Sequence, residues 1–351
     1  MLFANNYDMA RARAGWRAQT YPSHHLFGTA QLGPPFEVID LPYGGENLLA
    51  SATRRARGKL GDLGQQFAAR RAPANAIVYG ATAKDLRGLA ILRAVGIFRT
   101  PIVGVFQPFP TRGWLGRLAL RGFDRAIAMS RFTRQQLLAA GMPPERIVVL
   151  GWGADLSFPG FAPVAETAPD ARVVATGKTG RDMATLLAAL RATGLPARIY
   201  GEREQLLRTG EIPARVEIRP ASDASRPPTS PLSYEHTLAD LRSTAVVAIP
   251  LADPRPLHGL TEVIDALACA RPMIVTRAPY FDFDIEEIGC GWWVDRGDVH
   301  GWSERLSAAL ADRERLQEMG RAGRAWAAEH LNAQLFEAGV REVLLDVVAR
   351  R

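Results

Sequence analysis

LHGLTEVIDALACARPMIVT, residues 257–276, is the stretch whose reading decides the fold. It opens on a glycine-bearing turn, continues as an amphipathic helix with carboxylates in its first turns, breaks at Ala270-Arg271-Pro272 and ends in a buried strand. The turn around His258, Gly259, Leu260 and Thr261 leaves backbone N–H groups unpaired at the helix start, and with the helix dipole these make a seat for a phosphate or diphosphate. Glu262 and Asp265 stand three apart on one helix face, within reach of the hydroxyls of a sugar or ribose next to that phosphate.

Outward from this segment, strands and helices alternate. In the first half, apolar runs at residues 1–4, 38–41, 76–79, 102–106, 126–129 and 147–150 are bounded mostly by Gly, Pro or Asn, as buried parallel strands tend to be. Helical patterns at 83–95 and 131–140 lie between them. The second half repeats the scheme. Strands are expected at 172–176, 198–200, 216–218, 246–249, 273–276 and 292–294, with helices from Asp182, Tyr234 and Glu262. The chain ends in helices at 301–310, 313–330 and 333–349. Residues 158–171 carry three prolines and read as a linker, and 220–231 as a polar loop. The expectation is two doubly wound α/β domains, with ligands outside the carboxyl ends of the strands, in a cleft between them.

At 351 residues the chain exceeds what one core usually serves, and 47% apolar with 23% charged residues is an ordinary globular composition. Cys269 and Cys290 lack metal or disulfide spacing and read as buried small hydrophobes in a reducing cytosol. No signal peptide is expected at the N-terminus, and no run reaches the roughly 20 apolar residues of a spanning helix. A cytoplasmic protein, soluble or peripheral on the inner membrane face, is the expectation.

The net charge of +7 is uneven. Residues 1–165 hold 20 Lys and Arg against 9 Asp and Glu, the remainder 23 against 27. Basic residues gather at Arg11, Arg13 and Arg17, at Arg54, Arg55, Arg57 and Lys59, and at Arg112, Arg117, Arg121 and Arg125, among Trp16, Trp114 and Leu115. Such patches suit nucleic acid, anionic lipid or an acidic substrate, and solvated helix faces of an Arg-rich chain explain them equally well.

Four runs carry a family resemblance. DRAIAMSRFTRQQLLAAGMPPERIVVLGWGADLSFP at 124–159, VVATGKTGRDMATLLAAL at 173–190, GLTEVIDALACARPMIV at 259–275 and EEIGCGWWVDRGDVHGW at 286–302 resemble retaining glycosyltransferases of family 4, which have the GT-B fold. The resemblance implies an acceptor-side Rossmann-like domain at 1–165, a nucleotide-sugar-binding domain at 166–332 and a helix at 333–351 returning to the first. It implies transfer of a sugar from a nucleotide-sugar donor to a polysaccharide, glycolipid or lipid-linked glycan, with retention and without metal or other cofactor. No nucleic-acid partner is expected.

Lys178 and Arg181 follow the second half's first strand, where the family places two basic residues on the donor diphosphate. Gly177 and Gly180 beside them let backbone approach a ligand. Departing diphosphate needs its growing charge stabilised, and cations with a helix N-terminus do this without an ion. Asp265 takes the position of the acid that grips the donor ribose, on a solvent-facing cleft. The family's Glu eight residues earlier is here Leu257, and Asp253 or Glu262 is left to stand in for it. The family's His after the fourth strand is here Gln107, which hydrogen-bonds but exchanges no proton. In YPSHH, His24 and His25 read as acceptor-side residues; on an extended segment they face opposite ways, against a metal site. Asp282-Phe283-Asp284 reads as a loop capping the next helix rather than a metal-binding pair.

Two other classes remain: a sugar-nucleotide epimerase-like enzyme, and a weakened, non-catalytic partner in glycan assembly, motivated by Leu257 and Gln107. A dinucleotide dehydrogenase is disfavoured because no GxGxxG follows an early strand.

Overall fold

The computed structural model describes the chain except residues 6, 44–59, 74, 108–112, 163–169, 178–179, 221–230, 254–256 and 351. Short apolar runs between turn residues become parallel strands, most of them buried on both faces with no polar side to show, while the edge strands at 39–40 and 216–219 keep exposed residues. Two such sheets form, in two units: Met1–Ala18, Ser23–Trp152 and Ala333–Arg351 make the first, Gln19–Pro22 and Gly153–Asn332 the second.

The first unit contains β1 (Leu2–Ala4), α1 (Met9–Arg17), β2 (Ile39–Asp40), α2 (Leu63–Ala69), β3 (Val78–Gly80), α3 (Arg87–Ala94), β4 (Ile102–Phe106), α4 (Trp114–Arg121), β5 (Arg125–Ala128), α5 (Arg131–Ala139) and β6 (Ile147–Val149). Its six parallel strands lie in the order β2-β1-β3-β4-β5-β6. The helix expected over 83–95 divides into a 3-10 turn, Ala83–Leu86, and α3. Its core includes Phe106 and Phe123, fully buried with ring centroids 5.0 Å apart.

The second unit contains β7 (Asp170–Ala175), α6 (Met183–Thr193), β8 (Ala197–Tyr200), α7 (Arg203–Thr209), β9 (Val216–Arg219), α8 (Pro231–Ser243), β10 (Thr244–Ile249), α9 (Leu260–Ala268), β11 (Met273–Thr276), β12 (Gly291–Val294), α10 (Val299–Ala311) and α11 (Arg313–His330). The strand order is β12-β11-β10-β7-β8-β9, all parallel. The chain therefore winds outward in opposite directions from the neighbours β7 and β10. That reversal opens a crevice at their carboxyl ends, where doubly wound sheets bind ligands. Aspartates start three of the helices: Asp182, Asp298 and Asp312 accept from backbone N–H groups of α6, α10 and α11.

The last helix, α12 (Ala333–Ala349), belongs to the first unit. It buries Phe336, Val340, Leu344 and Val347, and its Asp346 pairs with the buried Arg125 of β5. Arg341 donates to the Pro34 carbonyl at 3.0 Å. Two members of the basic patches are thus internal: Arg125 faces Asp346, and Arg13, 8% exposed, donates to Asp40 at 2.9 and 2.8 Å and to Thr29. Arg54, Arg55, Arg57, Lys59 and Arg112 lie outside the described residues.

Candidate functional site

The site forms on the second unit, at the crevice between β7 and β10. β7 ends at Ala175, and the chain passes Thr176 and Gly177 to reach Arg181 and the α6 cap Asp182. Backbone bonds tie this loop to the segment after β10: Ala252 N donates to Gly180 O at 2.9 Å, Asp182 N to Pro250 O at 3.0 Å, and Arg181 bridges Leu251. Two loops far apart in sequence are held side by side.

From the second loop rises α9. Its cap residue is Gly259, in the left-handed region at φ 84°, and no side chain caps the helix; uncapped first-turn N–H groups of this kind suit an anion. Arg181 arrives beside this turn and pairs with Glu262. The two side chains are 6% and 11% exposed. Gly177 makes room for this pair: a Cβ there would displace the Arg181 guanidinium and the Glu262 carboxylate. Gly180, at φ 66°, leaves room for the His258 ring in the same way.

His258 is half-buried, and its Nδ1 has no hydrogen-bond partner among the described residues. Burial and the neighbouring Arg181 lower its pKa, against opposing pulls from Asp253 and Glu262, so the ring is neutral near pH 7. Buried Tyr280 donates its hydroxyl to the His258 carbonyl at 2.9 Å and fixes the turn. Lys178, the other expected diphosphate ligand, lies outside the described residues. Leu260 is buried, and Thr261 follows it at the helix start.

The structure corrects the reading of α9 and of Asp265. The helix keeps its amphipathic pattern, but its polar face is covered too: eight of its nine residues are buried, both carboxylates among them. Asp265 is 3% exposed and accepts the Tyr234 hydroxyl at 2.7 Å, so it does not face solvent. Burial raises its pKa to about 8; the Tyr234 hydrogen bond opposes this and Glu262 adds to it. Tyr21 stacks edge-on against Tyr234, with centroids 5.6 Å apart. No local pattern marks Tyr234 or Tyr280 as site residues, because each acts on a residue more than 20 positions away.

On the first unit, Gln107 is exposed directly after β4. His24 and His25 do not lie on an extended segment. They form a 3-10 turn, Ser23–Leu26, with ring centroids 4.2 Å apart, against Trp152. Trp152 donates its ring N–H to the His24 carbonyl at 2.9 Å. Burial, with His25 adding, holds His24 well below its usual pKa, and burial lowers His25 to about 3, so both rings are uncharged. Among the described residues, no group of three or more His, Cys, Asp or Glu is arranged to hold a metal ion. Asp282-Phe283-Asp284 also departs from expectation: no helix follows. Asp284 instead accepts from Glu286 N and the Trp293 ring N–H, each at 2.9 Å, and closes a turn before β12.

No family model matches the chain, and no curated protein matches its sequence. Solved structures do. HepE of Anabaena in complex with UDP and glucose aligns at TM-score 0.65 with 16% identity, over 98% of each chain. Sucrose-phosphate synthase of Thermosynechococcus elongatus aligns at 0.66 with 14% identity, over 91% of this chain and 85% of that one. The lipopolysaccharide outer core galactosyltransferase WaaB, in its apo form, aligns at 0.57 with 11% identity, over 99% of each. At such identities the likeness establishes architecture: two Rossmann-like units of the GT-B fold.

Proposed function

We propose that this chain is a metal-independent, retaining glycosyltransferase of family 4 that moves a sugar from a nucleotide-sugar donor to a glycan, glycolipid or lipid-linked acceptor. The observation that carries this reading is the meeting of Arg181 with the uncapped start of α9 over Gly177 and Gly180. That seat offers cationic and dipolar stabilisation to a leaving diphosphate. The structural neighbour HepE in complexes with UDP and UDP-glucose supports a nucleotide-sugar donor.

In the reaction, the donor C1–O bond to the diphosphate breaks and a C1–O bond to the acceptor hydroxyl forms on the same face. The acceptor proton leaves on the departing phosphate. Arg181, with Lys178 and the α9 N–H groups, stabilises the charge that develops on the diphosphate. His258, neutral and next to Arg181, adds a hydrogen-bonding edge. Ribose recognition by Asp265 exchanges one hydroxyl donor, Tyr234, for another, that of the sugar. Glu262 takes the duty of the missing upstream acid at Leu257, Gln107 is assigned to the transferred sugar, and His24 and His25 belong to the acceptor side.

A peripheral place on the cytoplasmic membrane face fits α4. Its Trp114 and Leu115 are 72% and 40% exposed, and Arg117 and Arg121 are exposed on the same helix. No helix among the described residues is long and apolar enough to cross a membrane. Leu257 and Gln107 favour, as the second reading, a non-catalytic partner in glycan assembly. Mass spectrometry of products after incubation with a panel of nucleotide sugars tests both. A transferred sugar supports the enzyme, an epimerised nucleotide sugar assigns an epimerase, and binding without product assigns the partner.

A further inference from the structure

The first unit has a concavity that glycosyl transfer does not use. A cavity of about 540 Å3 opens at the amino ends of β4, β5 and β6, the sheet edge opposite to the strand ends where ligands of doubly wound folds bind. Arg93 of α3, Arg99 before β4, Arg125 of β5, Arg146 before β6 and Arg350 after α12 bring five guanidiniums to it.

Among the described residues, two carboxylates, Asp124 and Asp346, neutralise them, and both are engaged. Arg93 donates from Nε and Nη2 to Asp124 at 2.7 and 2.5 Å, and Ile102 N donates to the same carboxylate at 2.8 Å. Asp346 accepts from Arg125 and, at 2.8 Å, from Arg350. Arg99 and Arg146 have no carboxylate partner among the described residues; Arg146 reaches only the Arg121 carbonyl, at 3.4 Å. Three positive charges therefore remain uncompensated in one hollow, beside guanidiniums whose orientation the ion pairs already hold. Such planar forks match the oxygens of a phosphate, and like-charged groups gathered in a concavity favour an anion between them. Arg146 also lines a second cavity of about 630 Å3, with Arg117 and Arg121, which extends the basic strip.

We propose that this hollow binds a phosphate-class anion, either a soluble diphosphate or the phosphate headgroup of an anionic lipid. Exposed aliphatic residues stand next in the chain to its arginines. Val95 and Ile97, between Arg93 and Arg99, are 53% and 64% exposed, and Val348, beside Arg350, is 42% exposed. Exposed aliphatic residues next in sequence to the arginines suit a headgroup with acyl chains, and a free diphosphate needs only the arginines.

Inorganic diphosphate titrated into the full chain by calorimetry, and sedimentation with phosphatidylcholine vesicles with or without phosphatidic acid, separate the two sources at physiological salt. The test variant is Arg99→Ala with Arg146→Ala, which leaves the ion pairs of Asp124 and Asp346 intact; it is compared with its parent in an Arg181→Ala, Glu262→Gln background, because the Arg181 seat would itself take diphosphate. In that background the chain still binds diphosphate or the phosphatidic-acid vesicles, and adding the double substitution loses at least tenfold in that binding with an unchanged melting temperature. Diphosphate binding without vesicle binding identifies a soluble ligand, and sedimentation that depends on phosphatidic acid identifies a headgroup. Equal binding with and without the double substitution in that background, or binding of neither probe, overturns the proposal. Nucleoside diphosphate affinity stays unchanged in the double variant, so failure here is distinct from failure of the transferase reading.

Discussion

Arg181 and Glu262, 81 residues apart, form an ion pair that closes over Gly177 at the carboxyl ends of β7 and β10. The same guanidinium is the group assigned to the donor diphosphate. In the unliganded chain the pair keeps a buried cation and a buried carboxylate compensated. On the proposed reading, a bound diphosphate competes with Glu262 for Arg181.

Arg181→Ala is expected to weaken nucleoside diphosphate binding by roughly 1.5–3 kcal/mol, the worth of a charge-assisted contact, and Lys178→Ala by a similar amount. Arg181→Ala also leaves Glu262 without its cation and lowers stability; adding Glu262→Gln restores stability but not affinity. Calorimetry with a panel of nucleoside diphosphates, with urea unfolding alongside, reads both effects. Full affinity in both single variants would sink the diphosphate assignment.

Asp265 sets a pH dependence. Its pKa, raised by burial to about 8 from 3.8, means that the folded state holds the carboxyl proton more tightly than the unfolded chain does. The stabilisation is complete below about pH 4 and is lost as pH rises through 8, at up to about 1.4 kcal/mol per unit. Asn cannot ionise and still accepts from Tyr234. Asp265→Asn is therefore expected to match the parent at pH 4 and to exceed it increasingly toward pH 8 in urea unfolding. Parallel stability curves would show that Asp265 ionises without penalty.

The same substitution tests ribose recognition. Asp265→Asn is expected to weaken nucleoside diphosphate binding at pH 7 while leaving inorganic diphosphate unaffected, because only the former carries ribose hydroxyls. Equal effects on the two ligands would place Asp265 in the scaffold alone.

Turnover is expected to survive a chelator, since Arg181, Lys178 and the α9 N-terminus supply the charge that an ion would otherwise provide. Loss of transfer in chelator, with recovery on added magnesium, would show that the diphosphate is neutralised by metal.

Neutralising Arg117 and Arg121 on α4 is expected to reduce sedimentation with anionic vesicles, each basic residue near such a surface contributing about 1 kcal/mol. Neutralising Arg313 and Arg321, exposed on α11 of the second unit, serves as the control and should leave it unchanged. An equal loss in both pairs points to general basicity instead.

Much of the architecture is legible in the chain alone. Residues 102–106 and 273–276 read as strands and are β4 and β11; residues 313–330 and 333–349 read as helices and are α11 and α12. The reason is local: a strand covered on both faces shows as an unbroken apolar run, and a long helix shows its period over several turns. Gly259 ahead of α9 and the glycines around Arg181 are equally local signals, and the proposed diphosphate seat rests on them. The surroundings of the carboxylates do not. Glu262 and Asp265 look like polar residues on an exposed helix face, and only the tertiary structure, by covering α9 on every side, makes one the partner of Arg181 and the other a raised acid under Tyr234. Nor does the local pattern of 282–284 show that Asp284 serves the Trp293 ring rather than a helix. These contacts depend on strand order: β10 lies beside β7, although two strands and three helices intervene in the chain, and that adjacency brings the loops after both strands together. Periodicity along the chain records what a segment buries, and the sheet's winding decides against whom.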